Sequence, residues 1–184
     1  MKTKERKKIL SEDSTEFDIR IKDNFFSKED FNYIKNVAKN IKFGSLNLTY
    51  GENKNHVFFT TKAPKEICDI ISKRVSDFFE IKILNIRLCH YSLVAKSDKV
   101  EAHTDKCDDI NFQTIIYIDG NEDIHCGTGF YIAKGKDNYV LNSHIGFRPN
   151  RIVSWGPNVY HAPLNFTDSF KKRISLITQY KIER

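Results

Sequence analysis

From residue 81 to the C-terminus the apolar residues stop recurring at helical spacing and begin to alternate, and this change of period constrains the fold more than any other feature. Short segments rich in β-formers follow one another: "KILNIRLCHYSL" at 82–93, "NFQTIIYID" at 111–119, "TGFYIA" at 128–133, "NYVLNS" at 138–143, "RIVSW" at 151–155 and "RISLITQYKI" at 173–182. Turn residues divide them, at Gly120, in the "GTG" of 127–129, in "KGKDN" and in "RPN". Before residue 81 the pattern is different. A short strand in "FDIRIKD" precedes a helix for which Ser27 is the N-cap, with Glu29 and Asp30 in the first turn and a stripe of Phe31, Ile34, Val37 or Ala38, and Ile41. A second helix opens near Pro64 and carries Ile67, Ile70, Ile71, Val75, Phe78 and Phe79. Helices followed by antiparallel strands predict an α+β domain whose second half closes on itself as a sandwich or small barrel.

At 184 residues, 40% hydrophobic and 12% aromatic, the chain can bury one sizeable core without disulfides or a structural metal. The expectation is a single domain over 16–184 preceded by a disordered basic tail over 1–15. The net charge of +6 does not by itself point to nucleic acid, because "MKTKERKK" supplies +4 of it and no basic stripe interleaved with aromatics follows. No run of about 18 apolar residues is present and the N-terminus lacks the apolar core of a secretory signal, so the chain reads as a soluble cytoplasmic protein with no membrane partner. Cys68, Cys89, Cys107 and Cys126 form no CxxC pair and are expected to be reduced thiols.

The chemistry is concentrated late in the chain. On extended backbone, residues two apart project to one face, so His103 and Asp105 in "EAHTDKCDD" can converge on a single point. They supply two ligands, whereas a facial ferrous site needs two histidines and one carboxylate with the opposite positions open. Of the remaining histidines, His56, His90, His125, His144 and His161, the last is the best third ligand. It lies in "WGPNVYHAPLNF", and twelve residues later Arg173 and Ser175 share a strand face. An inward arginine needs an anion, and its planar fork matches a carboxylate. Asp108 and Asp109 are read as solvated loop acids, Trp155 as core, and His125, Cys126 and Cys107 as lacking zinc-site spacing.

The ordered set His103-x-Asp105, His161 and Arg173-x-Ser175 resembles the Fe(II)- and 2-oxoglutarate-dependent dioxygenases, and most nearly their prolyl-hydroxylase-like branch. "IKDNFFSKEDFNYI" is similar to that branch's lead-in strand and helix, "TIIYIDG" to the strand after its first ligand motif, and "NRIVSWGPNVYHAP" to the approach to its distal histidine. Two departures stand out: "CGTGFYI" splits the glycine pair usual between the ligand motifs, and Arg173 stands where one large prolyl-hydroxylase subgroup has lysine. The resemblance implies a double-stranded β-helix, or jelly roll, with the N-terminal helices packed on its larger sheet. It implies Fe(II) on His103, Asp105 and His161, and 2-oxoglutarate held by Arg173 and Ser175, with Tyr117 or Tyr91 helping and Ile115 as an apolar wall. It further implies O2 as oxidant, succinate and carbon dioxide as products, and hydroxylation of a substrate C–H, or demethylation where that carbon is on nitrogen. The primary substrate, a protein residue or a small molecule, is not encoded in these motifs. The other reading is a non-catalytic cupin-like or lectin-like binding module on the same fold.

Overall fold

The computed structural model describes residues 18–45, 56–97, 102–120, 122–135, 138–164 and 173–183, and the basic segment expected at 1–15 lies outside them. Strand β1 (Arg20–Lys22) leads into helix α1 (Lys28–Asn40), and β2 (Gly44–Ser45) and β3 (His56–Lys62) precede α2 (Lys65–Phe79). Seven strands follow: β4 (Ile83–Ser97), β5 (Phe112–Asp119), β6 (Asp123–Ala133), β7 (Tyr139–Phe147), β8 (Ile152–Trp155), β9 (Tyr160–Leu164) and β10 (Arg173–Ile182). No helix among the described residues is long and apolar enough to cross a membrane. All four cysteines are free thiols.

The helices start where the sequence predicts. Ser27 Oγ accepts from Asp30 N at 3.1 Å, satisfying one of the unpaired N–H groups of the first turn of α1. The choice between Val37 and Ala38 falls to Ala38, which is buried with Ile34 while Val37 packs at the margin. Pro64 caps α2, which buries Ile67, Cys68, Ile71, Val75 and Phe79 and ends at Glu80 in left-handed backbone.

The strands form a seven-stranded sheet of order β1-β8-β5-β10-β4-β3-β2 and a three-stranded sheet of order β7-β6-β9. From β4 onward the chain crosses repeatedly between them: β4 and β5 lie in the large sheet, β6 and β7 in the small one, β8 in the large, β9 in the small and β10 in the large. Among the described residues between β4 and β5, His103 is bridged to His161 of β9 in the small sheet. This winding is the jelly roll expected from sequence. One face of the large sheet buries Tyr91, Ile116, Ile118, Ile152, Leu176 and Tyr180 against α1 and α2, as predicted for helices on the larger sheet. The other face meets the small sheet through Tyr117, Phe130, Phe147, Val153 and Trp155.

Register decides which residues reach the space between the sheets. On β10, Ser175, Ile177 and Gln179 stand opposite Tyr117, Ile115 and Gln113 of β5, and Arg173, Ser175 and Ile177 opposite Val94, Ser92 and His90 of β4. Directly opposed residues share a face, so these side chains line the interior, and their odd-and-even neighbours pack under the helices.

Two expectations fail locally. "GTG" is not a bend: β6 runs straight through it, starting five residues earlier than expected, at Asp123. Gly127 is paired opposite Gly146 of β7 where the β6–β7 ladder is irregular. A Cβ on Gly127 would come 1.9 Å from Ile145 O, and one on Gly146 would come 2.6 Å from Ile124 Cα, so the two backbones approach as only glycine permits. The short strands β2, β3 and β9 carry no alternating signal of their own and arise from pairing, β3 against β4 and β9 against β6. Gly127→Ala is therefore expected to lower the unfolding free energy by at least ~2 kcal/mol, read as a fall in the urea midpoint at unchanged slope. An unchanged midpoint would show that β7 yields freely at this point.

Candidate metal centre

His103 and His161 are joined through their backbones before their side chains meet. His103 N donates to His161 O at 3.1 Å and His161 N donates to His103 O at 2.9 Å, a reciprocal pair that makes the two residues cross-strand neighbours. Their rings consequently lie side by side, with centroids 4.6 Å apart. Asp105, two residues beyond His103 on extended chain, turns its carboxylate to both rings: Oδ1 is 3.9 Å from His103 Nε2 and Oδ2 is 3.3 Å from His161 Nε2. One donor atom from each of the three residues lies within 4.8 Å of the others, the single such convergence among the described residues. Donors held about 2.0–2.2 Å from one ion at right angles stand roughly 3 Å apart, so these separations suit three facial ligands on a small divalent metal.

The surroundings select the atoms that would face an ion. His161 Nδ1 lies 3.0 Å from Val159 O, to which its N–H donates, leaving Nε2 as the lone-pair nitrogen on the Asp105 side. His161 is buried and packs against Trp155, with the rings tilted 58° and centroids 4.9 Å apart, while the His103 and Asp105 side chains remain 30% and 24% exposed. With its amide turned so that nitrogen faces Asp105, Gln113 donates to Asp105 Oδ2 at 2.9 Å and accepts from Trp155 Nε1. Burial alone would raise the Asp105 carboxyl. When His161 carries a second proton, on Nε2, its hydrogen bond and charge, with the charge of a protonated His103 and a hydrogen bond from Gln179, outweigh it, and the group sits below the usual carboxylate range. The donor set of two imidazoles and one ionised carboxylate, oriented by partners of its own, fits ferrous iron. Gln113 and Gln179 escape a sequence reading because neither belongs to a metal-ligand pattern; their one signal is parity with Tyr117 and Ser175.

The anion-binding expectations divide. Arg173 is 1% exposed, with its guanidinium 4.6 Å over the Phe147 ring and Nη2 3.6 Å from Asp123 Oδ2. Gly120 leaves room for it, since a Cβ there would meet Arg173 Cγ at 3.1 Å. Ser175 is buried on the same face. Tyr117 also stacks on Phe147, at 4.7 Å, and its hydroxyl reaches across to Thr128 Oγ1 at 2.8 Å and Ile145 O at 3.2 Å. Burial pushes that hydroxyl up to about 12, so it is a neutral hydrogen-bonding group at physiological pH. Ile115 is part of the same apolar cluster. Tyr91 is not. Its register partner is Leu176, it is fully buried beneath α1, and its hydroxyl donates to Ile34 O at 3.1 Å. The expectation that Tyr91 assists the co-substrate is corrected by strand parity, and Ser92 is the neighbour that faces Ser175. Cys107, Asp108 and Asp109 are exposed, as expected for bystanders, and His125 and Cys126 join no metal-ligand group among the described residues.

The sequence matches no protein-family model and no curated protein sequence. Its fold, however, has clear counterparts among solved structures. An oxidoreductase of the 2OG-Fe(II) oxygenase family from Burkholderia pseudomallei superposes with a TM-score of 0.64 at 14% identity, over 89% of this chain and 85% of that one. A prolyl-4-hydroxylase from Pseudomonas putida superposes with a TM-score of 0.58 at 13% identity, over 89% and 91%. The non-heme alpha-ketoglutarate-dependent epimerase SnoN of nogalamycin biosynthesis gives 0.62 at 10% identity, over 89% and 77%. The chain has the double-stranded β-helix fold of the 2OG-Fe(II) oxygenases, with the prolyl hydroxylases among its structural neighbours.

Proposed function

We propose that the chain is an Fe(II)- and 2-oxoglutarate-dependent oxygenase. The observation that carries this reading is the convergence of His103, Asp105 and His161 within a jelly roll whose interior also buries Arg173. His103, Asp105 and His161 would hold the iron. Arg173 and Ser175 would receive the far carboxylate of 2-oxoglutarate, with Ile115 as apolar wall and Tyr117 beside them. Bound there, iron and 2-oxoglutarate supply the oxidation of a substrate C–H bond by O2, with 2-oxoglutarate leaving as succinate and carbon dioxide.

The chain's own work is positioning. The Val159 carbonyl fixes the tautomer of His161, and Gln113 fixes the angle of Asp105. Arg173 presents a permanent charge in a nearly dry interior, where a carboxylate gains more than it would in water. Phe147, Val153 and Trp155 belong to a buried apolar cluster between the sheets that would keep water from the site. The primary substrate would be a molecule presenting a C–H bond to the iron, a peptide residue or a small molecule; a prolyl hydroxylase in complex with a peptide fragment and the epimerase of nogalamycin biosynthesis, both structural neighbours, support keeping the two classes. Hydroxylation is the expected outcome, or demethylation where the carbon is on nitrogen.

Anaerobic addition of Fe(II) and 2-oxoglutarate is expected to give the weak visible charge-transfer band of an iron chelate. Well-folded protein without that band would favour a binding module instead. Arg173→Met should weaken 2-oxoglutarate by at least ~30-fold and leave iron binding intact, whereas equal loss of both would mean collapse of the site. Trp155, the chain's one tryptophan, is 4.9 Å from the His161 ring and gives a metal-binding readout through fluorescence quenching. His103→Ala, which removes a partly exposed ring, should abolish that quenching with the fold kept. Gln113→Leu should weaken metal about 10–100-fold, and undiminished affinity would show that Asp105 is held without it.

A further inference from the structure

We propose that Asp123 is a built-in anion that shares Arg173 with the far carboxylate of the co-substrate, so that the chain itself limits how tightly that carboxylate is held. The inference rests on the oxygenase reading of the site and specifies how its anion end is tuned.

Asp123 opens β6, at the irregular start of the β6–β7 ladder. Its carboxylate is fixed from its own segment: Oδ1 accepts from His125 N at 2.8 Å and Oδ2 accepts from the Cys126 thiol at 3.4 Å. The N–H of His125 does most to hold it below the usual carboxylate range, followed after opposing burial by Cys126 and Arg173, so it is ionised at neutral pH. Arg173 Nη2 is 3.6 Å from Oδ2, longer than the roughly 2.7–2.9 Å of a charged hydrogen bond. Asp123 therefore stands within ion-pair range of the guanidinium without being clasped by it.

A guanidinium carries five N–H groups in a planar fork and can serve two carboxylates. Two carboxylates on one arginine also repel each other. At roughly 6 Å and an effective dielectric between about 20 and 40, that repulsion corresponds to at least about ten-fold in affinity. Loss of the Asp123 charge should remove it. The opposite role, in which Asp123 only orients the guanidinium, predicts the opposite sign.

The test uses the full chain loaded anaerobically with Fe(II), titrated with 2-oxoglutarate and separately with its neutral 5-amide, and followed by the visible band. Asp123→Asn keeps the shape and the acceptor for His125 N. It should bind 2-oxoglutarate on the order of ten-fold more tightly, with affinity for the amide and for Fe(II) unchanged. Unchanged or weaker 2-oxoglutarate binding overturns the proposal, as does equal tightening for both ketoacids, which would report a looser cavity rather than a removed charge. If Asp123→Asn does not fold, Asp123→Ser carries the same comparison with the same outcomes. A wild-type chain that forms no band with either ketoacid refutes the oxygenase reading and this inference together, while a normal wild-type band with no tightening in the variant refutes the inference alone.

Discussion

The site depends on two backbone hydrogen bonds, from His103 N to His161 O and from His161 N to His103 O. They tie the segment between β4 and β5 to β9, and β9 is in turn paired to β6. Without them His103 and Asp105 would belong to a connection with no regular partner, and their side chains would have no fixed distance from His161. With them, the two imidazoles become neighbours by geometry, and Asp105 follows because a two-residue step on extended chain returns to the same face.

The second determinant is parity along β10. One face of that strand carries Arg173, Ser175, Ile177 and Gln179 into the space between the sheets, so the buried Arg173 and a hydrogen-bond partner of Asp105 are set by one element. Shifting the register by one residue would exchange this row for Ile174, Leu176, Thr178 and Tyr180, which pack on the helix side or pair with it. The pairing of Thr178 Oγ1 with Thr114 Oγ1 at 2.7 Å on that opposite face resists such a slip, since a one-residue shift would leave two buried hydroxyls unmatched.

Much of this is legible in the sequence because it is local. The cap at Ser27, the helix opening at Pro64, the bounds of β10 and the two-residue offset of His103 and Asp105 all follow from neighbouring residues. What required the structure is non-local. Tyr91 looks like a co-substrate residue until pairing with β10 shows that its parity points it at Ile34 of α1. Gly127 reads as a bend because glycine usually breaks strands, but its reason is the backbone of β7 opposite it. Gln113 and Asp123 carry no motif, and their relevance appears only once Asp105 and Arg173 are placed beside them. The residues that converge were readable from their types and order; those that aim them, Gln113 and Gln179, were not.

In the proposed reading one divalent iron is held by His103, Asp105 and His161. Anomalous diffraction at the iron edge, from crystals of the whole chain grown anaerobically with Fe(II), tests it most directly. A single strong peak is expected within bonding distance of His103 Nε2, His161 Nε2 and an Asp105 carboxylate oxygen. A peak held by any other set of side chains, or no peak from folded protein in excess Fe(II), would contradict it.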